Sequence, residues 1–363
     1  MSMFAATSSK PAFMGDRTAL GAVVVVVSAA LMLLACLVSL SSGPTGVGLP
    51  DLWSYVSGDL QDLTQQDRIV LEAVRLPRTA LALLVGAALG VSGALMQGLF
   101  RNPLADPGIV GVTSGAALAA VAAIVLGGGI LAPLEALIGN HFIPLMAFAG
   151  SLLNTVLLYA IATRNGQTST MALILSGIAI GAMSAAAMGL LVFVADDRQL
   201  RDITFWSLGS LGGATFTKVA AILPFILAVL ASLPFLSRGL DALVLGDAAA
   251  YHMGVPVQRV KRLAILAVAA ACGAAVAVAG SIAFVGIVVP HLIRLAIGPT
   301  HRFLLPASAF GGATLLLLAD SVARGVVAPA ELPIGIVTAI IGAPVFLTLL
   351  LGKSGRAAMD NLQ

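Results

Sequence analysis

Apolar residues in this chain come in long uninterrupted runs, not in alternation. From Thr79 to Phe100 there are 22 consecutive residues without a charge. Comparable charge-free intervals recur at 18–50, 107–134, 136–163, 165–195, 219–237, 263–293, 303–319 and 332–352. About twenty residues of helix rise roughly 30 Å, the thickness of a bilayer's hydrocarbon core. Each interval therefore predicts at least one membrane-spanning helix. Ten-residue segments of alternating polar and apolar residues, which an outer-membrane barrel requires, do not occur.

The interval 263–293 is 31 residues long and contains Gly280-Ser281 and Pro290. That is room for a full helix and a shorter returning one. Lys and Arg concentrate on the cytoplasmic side of membrane proteins, and this decides the count. Ten helices with a cytoplasmic N-terminus put 12 of the 19 basic residues inside, among them Lys10, Arg17, Arg101, Arg164, Arg238, Arg259, Lys261, Arg262, Arg294, Arg302, Lys353 and Arg356. Nine helices leave 9 inside against 10 outside. The pattern thus predicts an all-α polytopic membrane protein with ten transmembrane helices and both termini in the cytoplasm.

Composition agrees. Of 363 residues, 59% are hydrophobic and only 10% charged, with a mean hydropathy of +1.06; a soluble domain carries about 25% charged residues. The net charge of +3 averages a basic inner face and an acidic outer one, so it gives no indication of nucleic-acid binding. The basic residues before the first apolar run could open a secretory signal, and Leu33-Leu34-Ala35-Cys36 loosely resembles a lipoprotein cleavage site. The run continues well past Cys36, too long for a signal core. Cys36 and Cys272 both fall inside predicted spans, where small apolar packing is the expected role.

Two loops are expected outside. Residues 41–72 are acidic and carry Trp53 and Tyr55, which suit a membrane interface. The segment 199–211 is expected to form a short helix on the membrane surface. Glycines cluster inside spans, as at Gly86, Gly90 and Gly93, at Gly177, Gly181 and Gly189, and at Gly311 and Gly312. Small residues at helical spacing let membrane helices approach closely.

The longest inner polar segment is 238–262. Asp241 to Met253 has helical propensity, Gly254 is placed to cap it, and Val255-Pro256 opens a second short helix. Together they predict a surface knob. A phosphate-cradling Gly-x4-Gly-Lys-Ser/Thr loop is missing: Gly352-Lys353-Ser354 supplies its tail, but Leu347 stands where the first glycine belongs. Lys353 and Arg356 are expected to be positive-inside anchors. Arg75 and Arg78 lie on one face at the outer start of the second span, with Arg324 ending the ninth span on the same side. Lipid-headgroup contact is the ordinary expectation for such arginines. The segment 171–194 is apolar, small-residue-rich and uncharged. It suits a smooth conduit wall, although packing inside the chain accounts for each of its residues equally well. Asp320, a buried carboxylate of the kind an ion-coupled transporter needs, lies beside Arg324 and is expected to be ion-paired. The four histidines, His141, His252, His291 and His301, are spread along the chain.

Several motifs occur in order: RLPR (75–78), Gln97 followed by RNPLADP (101–107), FW-x-LGSL from Phe205, FVGIVVPHLIR (284–294), LLLLAD (315–320) with VAR (322–324), ELPIG (331–335) and GAPVF (342–346). Together they resemble the permease subunits of type II ABC importers for ferric siderophores, haem and cobalamin, and the Leu-Gly-Ser-Leu-Gly-Gly variant most resembles the haem permeases. The resemblance implies a cobalamin-permease-like fold in one domain over 1–363, with tails at 1–18 and 353–363 and coupling helices at 238–262. It implies that Leu245, Gly246, Asp247, Tyr251, His252, Met253 and Gly254 dock on an ATPase subunit. Arg75, Arg78 and Arg324 would receive carboxylates of a periplasmic binding protein, and Met171, Leu175, Ser176, Ile180 and Met183 would line the path. The partners implied are a second permease copy, two ATP-binding subunits and a periplasmic haem-binding protein, with haem as cargo. No resident cofactor, metal or catalytic residue is implied. The location implied is the bacterial inner membrane. Ferric-siderophore or cobalamin import is the alternative within the class, and ion-coupled secondary transport the alternative outside it.

Overall fold

Helix follows helix along the chain in the computed structural model, which describes residues 17–43, 46–59, 63–328 and 330–351. In order they are α1 (Arg17–Ser41), α2 (Leu49–Ser57), α3 (Gln65–Ile69), α4 (Leu76–Leu99), α5 (Val112–Leu126), α6 (Ala132–Ile138), α7 (Phe142–Ala162), α8 (Thr170–Val194), α9 (Asp197–Leu208), α10 (Phe216–Leu243), α11 (Asp247–His252), α12 (Val257–Ala279), α13 (Val285–Ile297), α14 (His301–Val326) and α15 (Ile334–Leu351). A π-turn, Val70–Arg75, fuses α3 to α4. A two-residue antiparallel ladder, β1 (Thr163–Arg164) with β2 (Gln167–Thr168), joins α7 to α8. Residues 1–16 and 352–363, which hold most of the expected tails with Lys10, Lys353 and Arg356, lie outside the described residues, while residues 17 and 18 of the expected N-terminal tail already belong to α1.

The all-α expectation holds. Among the described residues seven helical stretches are long and apolar enough to cross a membrane: α1, α3–α4, α6–α7, α8, α10, α12 and α14. Shorter apolar helices, α5, α13 and most of α15, occupy the other expected segments. The interval 263–293 divides as its glycine suggested. Helix α12 stops at Gly280, which has φ 71°, and α13 starts after Phe284, which has φ 68°. A phenylalanine there is strained and is held by packing on α15: its ring lies 6.5 Å from that of Phe346. Pro290 does not end a helix but sits inside α13.

At the centre stands α4, wrapped by α10, α12, α13 and α14. Its Gly86 and Gly90 lie against the backbone of Gly312 and Ser308 on α14, and its Gly93 against that of Gly286 on α13. A Cβ added at Gly93 would come within 1.7 Å of the Gly286 carbonyl oxygen. Overpacking by a methyl costs about 1–3 kcal/mol even where side chains can give way, and here the obstruction is backbone. Gly93→Ala is therefore expected to lower the melting temperature in detergent clearly, and Gly93→Val to abolish folded protein. An unchanged melting temperature for Gly93→Ala would show that α4 and α13 do not touch. A second layer, α5, α7 and α8, packs beside this unit. There Asn154 donates to the Gly111 carbonyl at 2.7 Å, and Gly177 faces the Ile109 carbonyl. Gly181 and Gly189 have open space beside them, so the expectation of close packing fails for these two.

On the side expected outside, α9 is capped reciprocally by Asp196 and Gln199, close to the surface helix expected at 199–211. After it, Ser210 donates to the Ala279 carbonyl at 2.8 Å and Ile334 to that of Gly209 at 3.1 Å. The FW-x-LGSL and ELPIG motifs thus meet at the break between α12 and α13.

Candidate functional site: a surface knob, a buried arginine cluster and an open helix face

The inner polar segment differs in part from expectation. Asp241 lies in the last turn of α10, which ends at Leu243; it does not start a new helix. A turn at 244–246 follows, in which Leu245 and Gly246 donate to the carbonyls of Ala242 and Leu243. Gly246 takes φ 102°, and α11 then runs for six residues. Gly254 caps it as expected, with φ 80° and its N–H donating to the Tyr251 carbonyl at 2.9 Å. The second short helix expected after Pro256 is instead the first turn of α12, because the apolar period continues unbroken from Val257 to Ala279. The knob is one short helix between two long ones. Ala250 buries its inner face completely, while Leu245, Tyr251 and Met253 are 67%, 71% and 54% exposed. His252 and Gly254 are exposed beside them.

Asp247, expected on the docking face, is part-exposed and ion-paired to the body of the chain. Its carboxylate accepts from the ammonium of Lys261 on α12 and lies 3.7 Å from the guanidinium of Arg101. Lys261 is buried and also donates to the Thr168 carbonyl at 3.1 Å, and the Gln258 side chain accepts from Thr168 N–H at 2.9 Å. The knob is thereby tied to the end of α4, to the β-hairpin and to α12. Sequence reasoning missed Arg101, Thr168, Gln258 and Lys261. Lys261 and Gln258 sit three apart on the first turns of α12, but nothing in the sequence says that a hairpin ninety residues earlier reaches them.

The three arginines expected to point outward are buried. Arg75, Arg78 and Arg324 are 2%, 5% and 6% exposed. Arg75 donates to the carbonyls of Leu40 and Val47 and so fastens the loop after α1. Arg78 grips Asp320 through Nε at 3.1 Å and Nη2 at 2.9 Å, and Glu331 through Nη1 at 2.6 Å. Arg324 lies 3.1 Å from the other Asp320 oxygen and donates to the carbonyls of Ser39 and Ser42. Asp320 is fully buried between the two guanidiniums, the ion pair expected of it. The arginines are drawn in because a carboxylate in apolar surroundings needs cationic partners. Within the cluster the accessible acid is Glu331, whose side chain is 44% exposed.

Helix α8 buries one narrow face, Leu173, Ile180 and Ser184, at helical spacing against α5 and α7. Met171, Leu175 and Met183 are 65%, 60% and 71% exposed on its other sides. Ser176 is half-buried and returns its hydroxyl to the Ala172 carbonyl. Ile180 is corrected: at 9% exposure it packs into the chain and does not face the open side. Helix α15 adds Ile340, Ile341 and Leu347 to the open apolar surface. Of the histidines, His301 is buried against Asp241, His291 is buried, and His141 and His252 are exposed.

Comparison with known proteins agrees with this architecture. The family model described as the FecCD transport family matches residues 31–352. The hemin transport system permease protein of Yersinia pestis is 48% identical over 278 residues, covering 77% of this chain and 82% of its own. The cobalamin import system permease protein of Halobacterium salinarum is 43% identical over 313 residues, covering 86% and 82%. The vitamin B12 import system permease protein of Escherichia coli is 41% identical over 329 residues, covering 90% and 94%. A solved inward-facing metal-chelate type ABC transporter superposes with a TM-score of 0.79 at 32% identity, covering 91% of this chain and 99% of that one. With its helical order, its motifs and these relatives in agreement, the chain belongs to the FecCD transport family and is a permease subunit of the ABC-importer type.

Proposed function

We propose that this permease imports haem across the bacterial inner membrane, as one of two identical copies working with two ATP-binding subunits and a periplasmic haem-binding protein. The observation that carries the ATP-driven part is the knob: three large apolar side chains, Leu245, Tyr251 and Met253, stand exposed on and beside a six-residue helix whose base is ion-paired into the body. An isolated apolar patch on a polar face marks a docking surface. Force applied to Leu245, Gly246, Tyr251, His252, Met253 and Gly254 is passed on through Asp247. In this reading the chain crosses the membrane ten times with both termini inside. Its outer end receives the binding protein at Arg78, where an incoming carboxylate exchanges with the exposed Glu331 while Arg75 and Arg324 hold the surrounding backbone. The open faces of α8 and α15, with Met171, Leu175 and Met183, meet the second copy and border the path. Asp320, locked between two guanidiniums, offers no free carboxylate for ion coupling, which speaks against the secondary-transporter alternative.

Haem as cargo is supported by the 48% identity to a hemin permease, against 43% and 41% to two cobalamin permeases, and by the Leu208–Gly213 glycine pattern. The test is ATPase stimulation. In proteoliposomes holding this permease with its ATP-binding and binding-protein partners, haem is expected to raise hydrolysis severalfold over the unliganded rate, and cobalamin and ferric siderophores to leave it at baseline. Stimulation by either of the latter without haem would move the substrate assignment. Hydrolysis by the permease alone would remove the reading of it as a subunit without an engine.

A further inference from the structure

A groove of about 840 Å³ opens between α1, α4, α10 and α14, away from α8, which packs on α5 and α7. Its wall is apolar and includes Leu83, Leu233, Leu305 and Phe310. Two exposed arginines line it from different helices, Arg238 near the end of α10 and Arg302 at the start of α14. Among the described residues neither guanidinium has an ion-pair or hydrogen-bond partner; Arg302 has only the Phe303 ring, 5.5 Å away. The nearby carboxylate, Asp241, is committed elsewhere. It accepts from the backbone N–H of His301 at 2.8 Å and lies 2.8 Å from that residue's Nδ1. This contact pins the end of α10 to the start of α14 and leaves two cations facing an apolar furrow.

We propose that this groove binds one anionic phospholipid, its phosphodiester held between Arg238 and Arg302 and an acyl chain laid along Leu83, Leu233, Leu305 and Phe310. Arginine's planar fork matches a phosphate, and basic pockets between membrane helices take acidic headgroups. Charge complementarity selects the occupant. A zwitterionic lipid brings a cation up to two cations. A second copy docked here about a two-fold axis would oppose each arginine pair with its twin. Because α10 runs directly from this groove into the turn before α11, the bound lipid braces the helix that carries the knob.

The test is native mass spectrometry of the full-length chain in mild detergent, offered equal amounts of phosphatidylglycerol and phosphatidylcholine. The wild type is expected to retain phosphatidylglycerol preferentially. Arg238→Ala and Arg302→Ala are each expected to weaken retention about fivefold, and the pair about 25-fold, while the Arg238→Lys/Arg302→Lys pair keeps most of it. Arg198→Ala/Arg201→Ala, on α9, is the control and is expected to change nothing. Phe310→Glu places a negative charge in the furrow without touching either arginine and is expected to lower retention too, so the idea stays testable if the alanine pair folds poorly. Equal retention of both lipids, undiminished retention in the charge variants, or complete displacement by inorganic phosphate alone would overturn the proposal. These outcomes do not depend on which membrane face the groove opens to or on what the permease carries.

Discussion

Asp320→Asn is expected to destabilise this protein by about 3–5 kcal/mol, the cost of breaking a buried ion pair by removing one partner. Asparagine keeps the shape of the side chain and removes its charge. Arg78 and Arg324, each less than a tenth exposed, would then be two guanidiniums in apolar surroundings without a counter-charge between them. The asparagine amide would also turn an N–H₂ toward donors that need an acceptor. Glu331→Gln is the contrasting case. That carboxylate reaches the same Arg78 but is nearly half exposed, so water replaces much of what is lost and the change is expected to stay under about 1 kcal/mol. Thermal unfolding of the purified variants in one detergent separates the two. Restoration of part of the loss by Arg324→Met in the Asp320→Asn background would identify the stranded charge as the cause. An Asp320→Asn protein melting with the wild type would show that this carboxylate does not hold the two arginines in place.

The second large effect is functional and leaves the fold alone. Tyr251→Asp and Met253→Asp replace exposed apolar groups at the end of a short helix whose attachment runs through Ala250, Asp247 and Lys261, so melting temperatures are expected to match the wild type. Association with the ATP-binding subunit is expected to weaken about 30-fold for each side chain, the scale of a lost interface hot spot of about 2 kcal/mol. In the double variant, uptake in proteoliposomes falls to the level of ATP-free vesicles. Lys261→Met serves as the comparison: it keeps the apolar surface but cuts the tie beneath it, and should preserve association while reducing uptake. Full uptake by the Tyr251→Asp/Met253→Asp protein would remove the knob from the mechanism.

The long apolar segments and the break at Gly280 were legible in the sequence because a hydrocarbon core imposes length and charge rules on consecutive residues. The capping of α11 by Gly254 was legible too, since the requirement sits in one residue's backbone. What could not be seen was partnership across long separations. Arg78 looks like a surface arginine until Asp320, 242 residues further on, is placed against it, whereas the Asp320–Arg324 pair is local and was expected. Ile180 looks equivalent to Met183 in a uniformly apolar segment, because hydropathy does not mark which side of a membrane helix meets protein and which meets lipid or a partner. The second coupling helix was over-read because a proline-started turn looks the same whether the helix stops after one turn or continues for six.

The glycine contacts of α4 also restrict how the molecule can move. Where two helices touch carbonyl to α-carbon, there is no layer of flexible side chains to slip along, so neither can slide or roll past the other without atoms colliding. The post formed by α4, α13 and α14 therefore moves as one stiff body. In the proposed import cycle, a change of opening is then expected to carry this block along whole.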